Sequence, residues 1–172
     1  MKKLLTFAAL TVVGACATAP AFAQDSWSSP VGVSLRIGGF YPTESDTRNN
    51  AGDSWLGAGI DFKINGLKFS KLPPGYFSVS LDYAGKGDYR TAPLLVNYTS
   101  GRTLYWSAGA GVSFARFPED SGDINDKVRF AYTGALGLNF ANGQIPLFLE
   151  ARYFGNEQPR VAGLAVYVGA RF

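Results

Sequence analysis

Large apolar residues alternate with small or polar residues along most of this 172-residue chain, and this pattern limits the possible folds more than any other feature. In the segment FSVSLDY (residues 77–83), for example, every second residue is aromatic or aliphatic. A period of two indicates a β-strand with one apolar face, because successive side chains point to opposite sides of a sheet. No segment has the sustained spacing of three and four residues that indicates a helix, so we predict an all-β fold.

Eight segments carry this alternation, and they cover residues 31–38, 56–64, 77–83, 94–99, 104–114, 129–140, 147–153 and 164–172. The connections at 42–53, 85–92, 118–127 and 155–160 are expected to be long. Those at 100–102 and 142–144 are expected to be tight, with 65–75 as an exception. Prolines are expected only at strand starts or outside strands, with Pro93 at a start, since proline removes a ladder hydrogen bond. An even number of strands joined in this way predicts an eight-stranded antiparallel up-and-down β-barrel.

The composition of the two faces favours a transmembrane barrel. One face consists largely of Gly, Ala and Ser, which fit the narrow interior of an eight-stranded barrel. The other is apolar over segments of about 9–11 residues, the length that a tilted strand needs to cross a bilayer. Aromatic residues lie near the segment ends, as in interfacial girdles; they are Tyr41, Phe62, Phe77, Tyr83, Tyr98, Trp106, Phe114, Phe130, Tyr132, Phe140, Tyr153 and Phe172. The alternative is a soluble, lipocalin-like binding barrel with the apolar face inside.

Residues 1–23 have the pattern of a secretory signal peptide, with Lys2 and Lys3 before an apolar segment at 4–15 and an Ala-Phe-Ala site at 21–23. Cleavage after Ala23 would leave residues 24–172 as the barrel domain. The mature chain would have 14 basic and 13 acidic residues, a net charge of +1. Such a balance gives no support for a nucleic-acid partner.

Cys16 leaves a second interpretation of this segment open. Val-Gly-Ala-Cys at 13–16 is similar to the lipobox of bacterial lipoproteins, in which the cysteine is lipidated and becomes the first residue. With one Cys and no His, the chain has no intramolecular disulfide, multi-cysteine metal site or histidine acid–base chemistry. We therefore predict no metal, no cofactor and no enzymatic activity.

The C-terminal segment resembles the signal that outer-membrane barrels present to their assembly machinery. It ends on an aromatic residue with apolar residues in phase before it: Leu164, Val166, Val168, Ala170 and Phe172. With the export signal and the eight strands, the chain resembles the superfamily of small eight-stranded outer-membrane barrels of the OmpA, OmpX and OmpW type. This resemblance implies a monomer at the cell surface of a Gram-negative-type envelope, in contact with membrane lipids including lipopolysaccharide. The enzymes known on this fold rely on a histidine, which this chain lacks.

Charged residues on the small-residue face are predicted to form a network in the lumen; they are Arg36, Asp61, Lys63, Asp82, Arg129, Glu150, Arg152 and Arg171. Counting along the strands places Arg36, Asp61, Asp82, Glu150 and Arg152 in the middle third. Isolated charges there would be costly, so we expect them to pair and fill the lumen, with Glu150 near Arg36, Arg152 and Lys63. The predicted function is a structural or surface-interaction role. The alternative is a gated channel or transporter for small or hydrophobic molecules.

Overall fold

The computed structural model describes residues 32–67, 72–118, 124–141 and 146–172. The predicted signal peptide, Cys16 and the predicted turn at 142–144 lie outside these residues. Eight antiparallel strands close into a barrel in which each strand pairs with its neighbours in sequence and the first pairs with the last. The strands are β1 Val33–Pro42, β2 Trp55–Ile64, β3 Gly75–Lys86, β4 Tyr89–Gly101, β5 Leu104–Pro118, β6 Ile124–Ala141, β7 Leu147–Asn156 and β8 Gly163–Arg171. The predicted eight-stranded up-and-down barrel is confirmed.

Two short helices lie at one end of the barrel, which we call the helix end. Helix α1 (Ser45–Ala51) lies between β1 and β2, and a 3-10 helix (Pro159–Val161) lies between β7 and β8. The helix in the 42–53 connection was not predicted, because seven residues are too few to show a helical period. At the opposite end, the terminal end, Phe172 exchanges backbone hydrogen bonds with Val33. In the part of the chain that the structure describes, no helix is long and apolar enough to cross a membrane.

Two connections that the sequence predicted to be long are short. Only Gly87 and Asp88 separate β3 from β4, and Gly87 has a φ of +60°, in the left-handed region that favours glycine. Strand β5 continues to Pro118, whose partner is Ile124 at the start of β6. The predictions for 85–92 and 118–127 were wrong because the sheet continues beyond its apolar band. There the strand residues are polar and charged, as in a loop.

Pro93 was predicted to begin a strand, and this was also wrong, since it is the fifth residue of β4. It pairs with Ser113 of β5. On the other side, the register with β3 is interrupted between the pairs Leu81–Leu94 and Ala84–Thr91. Proline has no N–H to donate, and at this position the pairing with β3 is interrupted whereas the pairing with β5 continues. The barrel closes despite this gap.

The two faces of the barrel are assigned as the alternation predicted. Large apolar side chains face outwards, and Leu104 and Leu136 are 69% and 64% exposed. Polar and charged side chains face inwards and are buried: Arg36, Ser78, Ser80, Asp82, Thr91, Asn97, Thr99, Ser107, Ser113, Thr133, Glu150, Arg152 and Arg171. Some of them bond each other, as Thr91 and Ser113 do at 2.7 Å between hydroxyl oxygens. The barrel is therefore apolar outside, and buried polar and charged side chains occupy much of its interior, unlike the core of a water-soluble domain.

Candidate functional site

The centre of the lumen contains a buried cluster of charged side chains built around Arg36 of β1. Its guanidinium Nε donates to Oδ1 of Asp82 at 2.9 Å, and Nη2 donates to Oδ1 and Oδ2 of Asp82 at 2.7 and 2.8 Å. Nη1 donates to the carboxylate of Asp61. The Arg36 side chain is fully buried, and those of Asp82 and Asp61 are 2% and 15% exposed. One arginine thus binds two carboxylates from neighbouring strands.

Gly59 of β2 makes this contact between β1 and β3 possible. It is the register partner of both Arg36 and Asp82. A Cβ atom at Gly59 would lie 2.1 Å from Oδ1 of Asp82 and 2.7 Å from Nε of Arg36. The salt bridge therefore passes over a backbone position that only glycine leaves open.

The second half of the cluster lies on β7. Nε of Arg152 donates to Oε1 of Glu150 at 2.8 Å, and the Tyr105 hydroxyl of β5 donates to Oε2 at 2.9 Å. Nη1 of Arg152 lies 3.6 Å from Oδ2 of Asp82, which joins this half to Arg36. Hereafter the charge cluster means Arg36, Asp61, Asp82, Glu150 and Arg152. These are the five residues that counting along the strands placed in the middle third.

The pairing within the cluster matches the expected one only in part. Of the three bases expected near Glu150, Arg152 does bond it, together with Tyr105. Arg36 bonds the two aspartates instead. Periodicity gives the face and height of a side chain but not its partner across the lumen.

Two of the other three predicted lumen charges contact aromatic rings. Arg171 is buried, with its guanidinium carbon 4.7 Å from the Tyr105 ring centre and 4.8 Å from that of Phe148. Lys63 is half-buried, and its Nζ lies 5.4 Å from the ring centre of Tyr76. Arg129 is half-buried on β6. Two of these three cations therefore pack against aromatic rings.

A second group of buried side chains, which the sequence did not predict, closes the helix end of the lumen. The Phe40 and Trp55 rings stack with centres 5.2 Å apart, and Phe154 and Tyr89 pack beside them. We call this group the aromatic plug; it consists of Phe40, Trp55, Tyr89, Phe117, Phe154 and Tyr167. Strand phase could have found it, because Phe40 is in phase with Arg36 and Phe154 with Arg152.

The charge cluster connects strands and fills space. Each of its three carboxylates accepts a hydrogen bond from an arginine, so none is left as an unpaired base. Among the described residues, no group of three or more His, Cys, Asp or Glu side chains could hold a metal ion. The geometry thus supports a packed lumen.

The predicted assembly signal forms the closing strand. Leu164, Val166 and Val168 of β8 lie on the exterior and are 41–48% exposed, and Ala170 is half-buried. Phe172 follows the strand and is 37% exposed at the terminal end.

No protein-family model and no curated protein matches this chain.

Proposed function

We propose that this chain is an outer-membrane β-barrel with a closed lumen and a structural or surface-interaction role. The apolar exterior carries the proposal. Large apolar side chains from all eight strands are exposed there, including Leu35, Leu56, Leu81, Val96, Leu104, Leu136, Tyr153 and Val168. Soluble monomers rarely expose apolar patches of more than a few hundred Å². A lipid-facing band of a membrane barrel has this composition.

Two rings of outward aromatic side chains support the same proposal. The ring at the helix end contains Tyr41, Tyr83, Phe114, Phe130, Tyr132 and Tyr153. The ring at the terminal end contains Phe62, Phe77, Tyr98, Trp106, Phe140 and Phe172. Neighbours within a ring touch, as Phe77 and Tyr98 do with centres 4.9 Å apart. Aromatic rings at both borders of an apolar band are typical of the two membrane–water interfaces.

The filled lumen favours a structural role over transport. The charge cluster crosses the middle of the barrel, and the aromatic plug covers the helix end. A lipocalin-like barrel would need an apolar pocket inside, whereas the middle of this interior contains Arg36, Asp82, Glu150 and Arg152. The sequence-based alternatives, a channel and a soluble binding barrel, therefore become outcomes of the test.

The test is reconstitution of the refolded chain into phosphatidylcholine vesicles and planar bilayers. We expect the protein to insert, to resist added trypsin across its strands, and to show no steady conductance. Steady, ion-selective conductance would favour the channel. A folded, water-soluble barrel that does not enter vesicles would favour a soluble binding protein.

Deleting Phe172 is expected to reduce insertion in cells while leaving the barrel's own stability nearly unchanged. Phe172 lies beyond β8 and adds one exposed ring and two backbone hydrogen bonds to Val33. The measurement compares the outer-membrane and periplasmic fractions in cells with refolding into vesicles, which needs no assembly machinery. The Phe172→Tyr variant, which keeps an aromatic ring, is the control. Normal membrane levels of the truncated chain would contradict the assembly signal.

A further inference from the structure

Two arginines lie directly opposite each other on the outside of the barrel, at the helix end. Arg90 of β4 and Arg116 of β5 are register partners, and Asp126 of β6 is the next partner of Arg116. Arg90 is exposed and Arg116 is half-buried. Within the residues that the structure describes, neither guanidinium forms a salt bridge or a side-chain hydrogen bond.

Like charges that face each other across two strands destabilise a sheet. Asp126 faces only Arg116, so the three side chains Arg90, Arg116 and Asp126 together carry a net positive charge. Two adjacent guanidinium groups offer several donors to one anion, and arginine binds phosphate oxygens in a bidentate manner. The pair therefore has the chemistry of a phosphate site.

The surface beside the arginines is apolar. Both arginines line a groove of about 450 Å³ that also contains Tyr83, Phe114 and Val128. These three side chains are 48%, 52% and 59% exposed, and Ala92, the register partner of Phe114, also lines the groove. A ligand that fills this groove needs an anionic group at the rim and an apolar part below it.

We propose that this groove binds a phosphorylated membrane lipid, with the phosphate between Arg90 and Arg116 and an acyl chain over Phe114 and Val128. The inference rests on the proposed membrane location. Tyr83 and Phe114 belong to the helix-end aromatic ring, so the arginines lie at the height where headgroups of the surrounding leaflet would meet the barrel. The carboxylate of Asp126 also lines the groove and would favour an orientation of the phosphate towards Arg90.

The test uses the protein inserted into vesicles of equimolar phosphatidic acid and phosphatidylcholine with identical chains. After extraction in mild detergent, native mass spectrometry counts the lipids that remain bound. We expect the wild type to retain phosphatidic acid preferentially. Arg90→Gln and Arg116→Gln should each reduce this preference about fivefold, as expected for loss of one cation near an anionic headgroup.

Lys86→Gln is the matched control, because it also removes one positive charge. Lys86 is exposed at the same end of the barrel and lies outside the groove. We expect it to leave the preference unchanged. Equal retention of both lipids by the inserted wild type would contradict the lipid site without contradicting the membrane barrel. The same holds if Lys86→Gln reduces the preference for phosphatidic acid as much as the arginine variants do. Loss of the preference in millimolar inorganic phosphate would assign the arginines to a soluble anion. Failure of the wild type to insert would overturn both proposals.

Discussion

Replacing Arg36 with glutamine is expected to lower the free energy of unfolding by about 3–5 kcal/mol, because it leaves buried carboxylates without their cation. Among the described residues, Arg36 is the partner that bonds Asp61, it donates the three closest bonds to Asp82, and its side chain is fully buried. Glutamine can donate only from one amide and carries no charge. A urea titration of the refolded protein in phosphatidylcholine vesicles, followed by tryptophan fluorescence, measures the loss.

Two further variants show whether the effect comes from pairing. Arg129→Gln removes a half-buried inward arginine outside the charge cluster, and we expect it to cost less than about 1 kcal/mol. Adding Asp82→Asn to Arg36→Gln should recover part of the loss, since two neutral amides can bond each other over Gly59. A loss at Arg36 no larger than that at Arg129 would contradict a stabilising role for the charge cluster.

The alternation along the chain was sufficient to predict the strand number, the two faces and the height of the central charges. A period of two decides the side of every residue, and counting from a turn gives its height. The bonds inside the lumen depend on the stagger between strands, which no single segment contains. Arg36 reaches Asp82 because Gly59 has no side chain, and this becomes visible only when three strands are aligned.

The strand ends and the aromatic plug at the helix end were not predictable from alternation for a related reason. Apolar residues give way to charges before the strands end, so Arg90 and Arg116 are paired strand residues in a segment with the composition of a loop. The inward phase continues beyond the apolar band to Phe40 and Phe154, which belong to the aromatic plug. Strands that continue beyond the apolar band have a polar exterior there, so the hydropathy pattern ends before the hydrogen-bonded ladder does.

Replacing Leu136 with arginine is expected to lower the free energy of unfolding in vesicles by about 2–4 kcal/mol, the cost of an arginine facing lipid near the bilayer midplane. Leu136 is 64% exposed on β6, about halfway between the outward rings of Tyr132 and Phe140. The same urea titration in phosphatidylcholine vesicles measures the change. In a soluble barrel this site would face water, and the substitution would be close to neutral.

Ala135→Ser is the matched control, one residue away on the opposite face. Ala135 is buried opposite Ser107, whose Oγ is buried without a hydrogen-bond partner among the described residues. A serine there can bond Ser107 as Thr91 bonds Ser113, so we expect a change of less than about 1 kcal/mol, in the stabilising direction. A large loss of stability in Ala135→Ser with none in Leu136→Arg would mean that the two faces are assigned the wrong way round. Equal tolerance of both substitutions would contradict the lipid-facing band on which the membrane proposal depends.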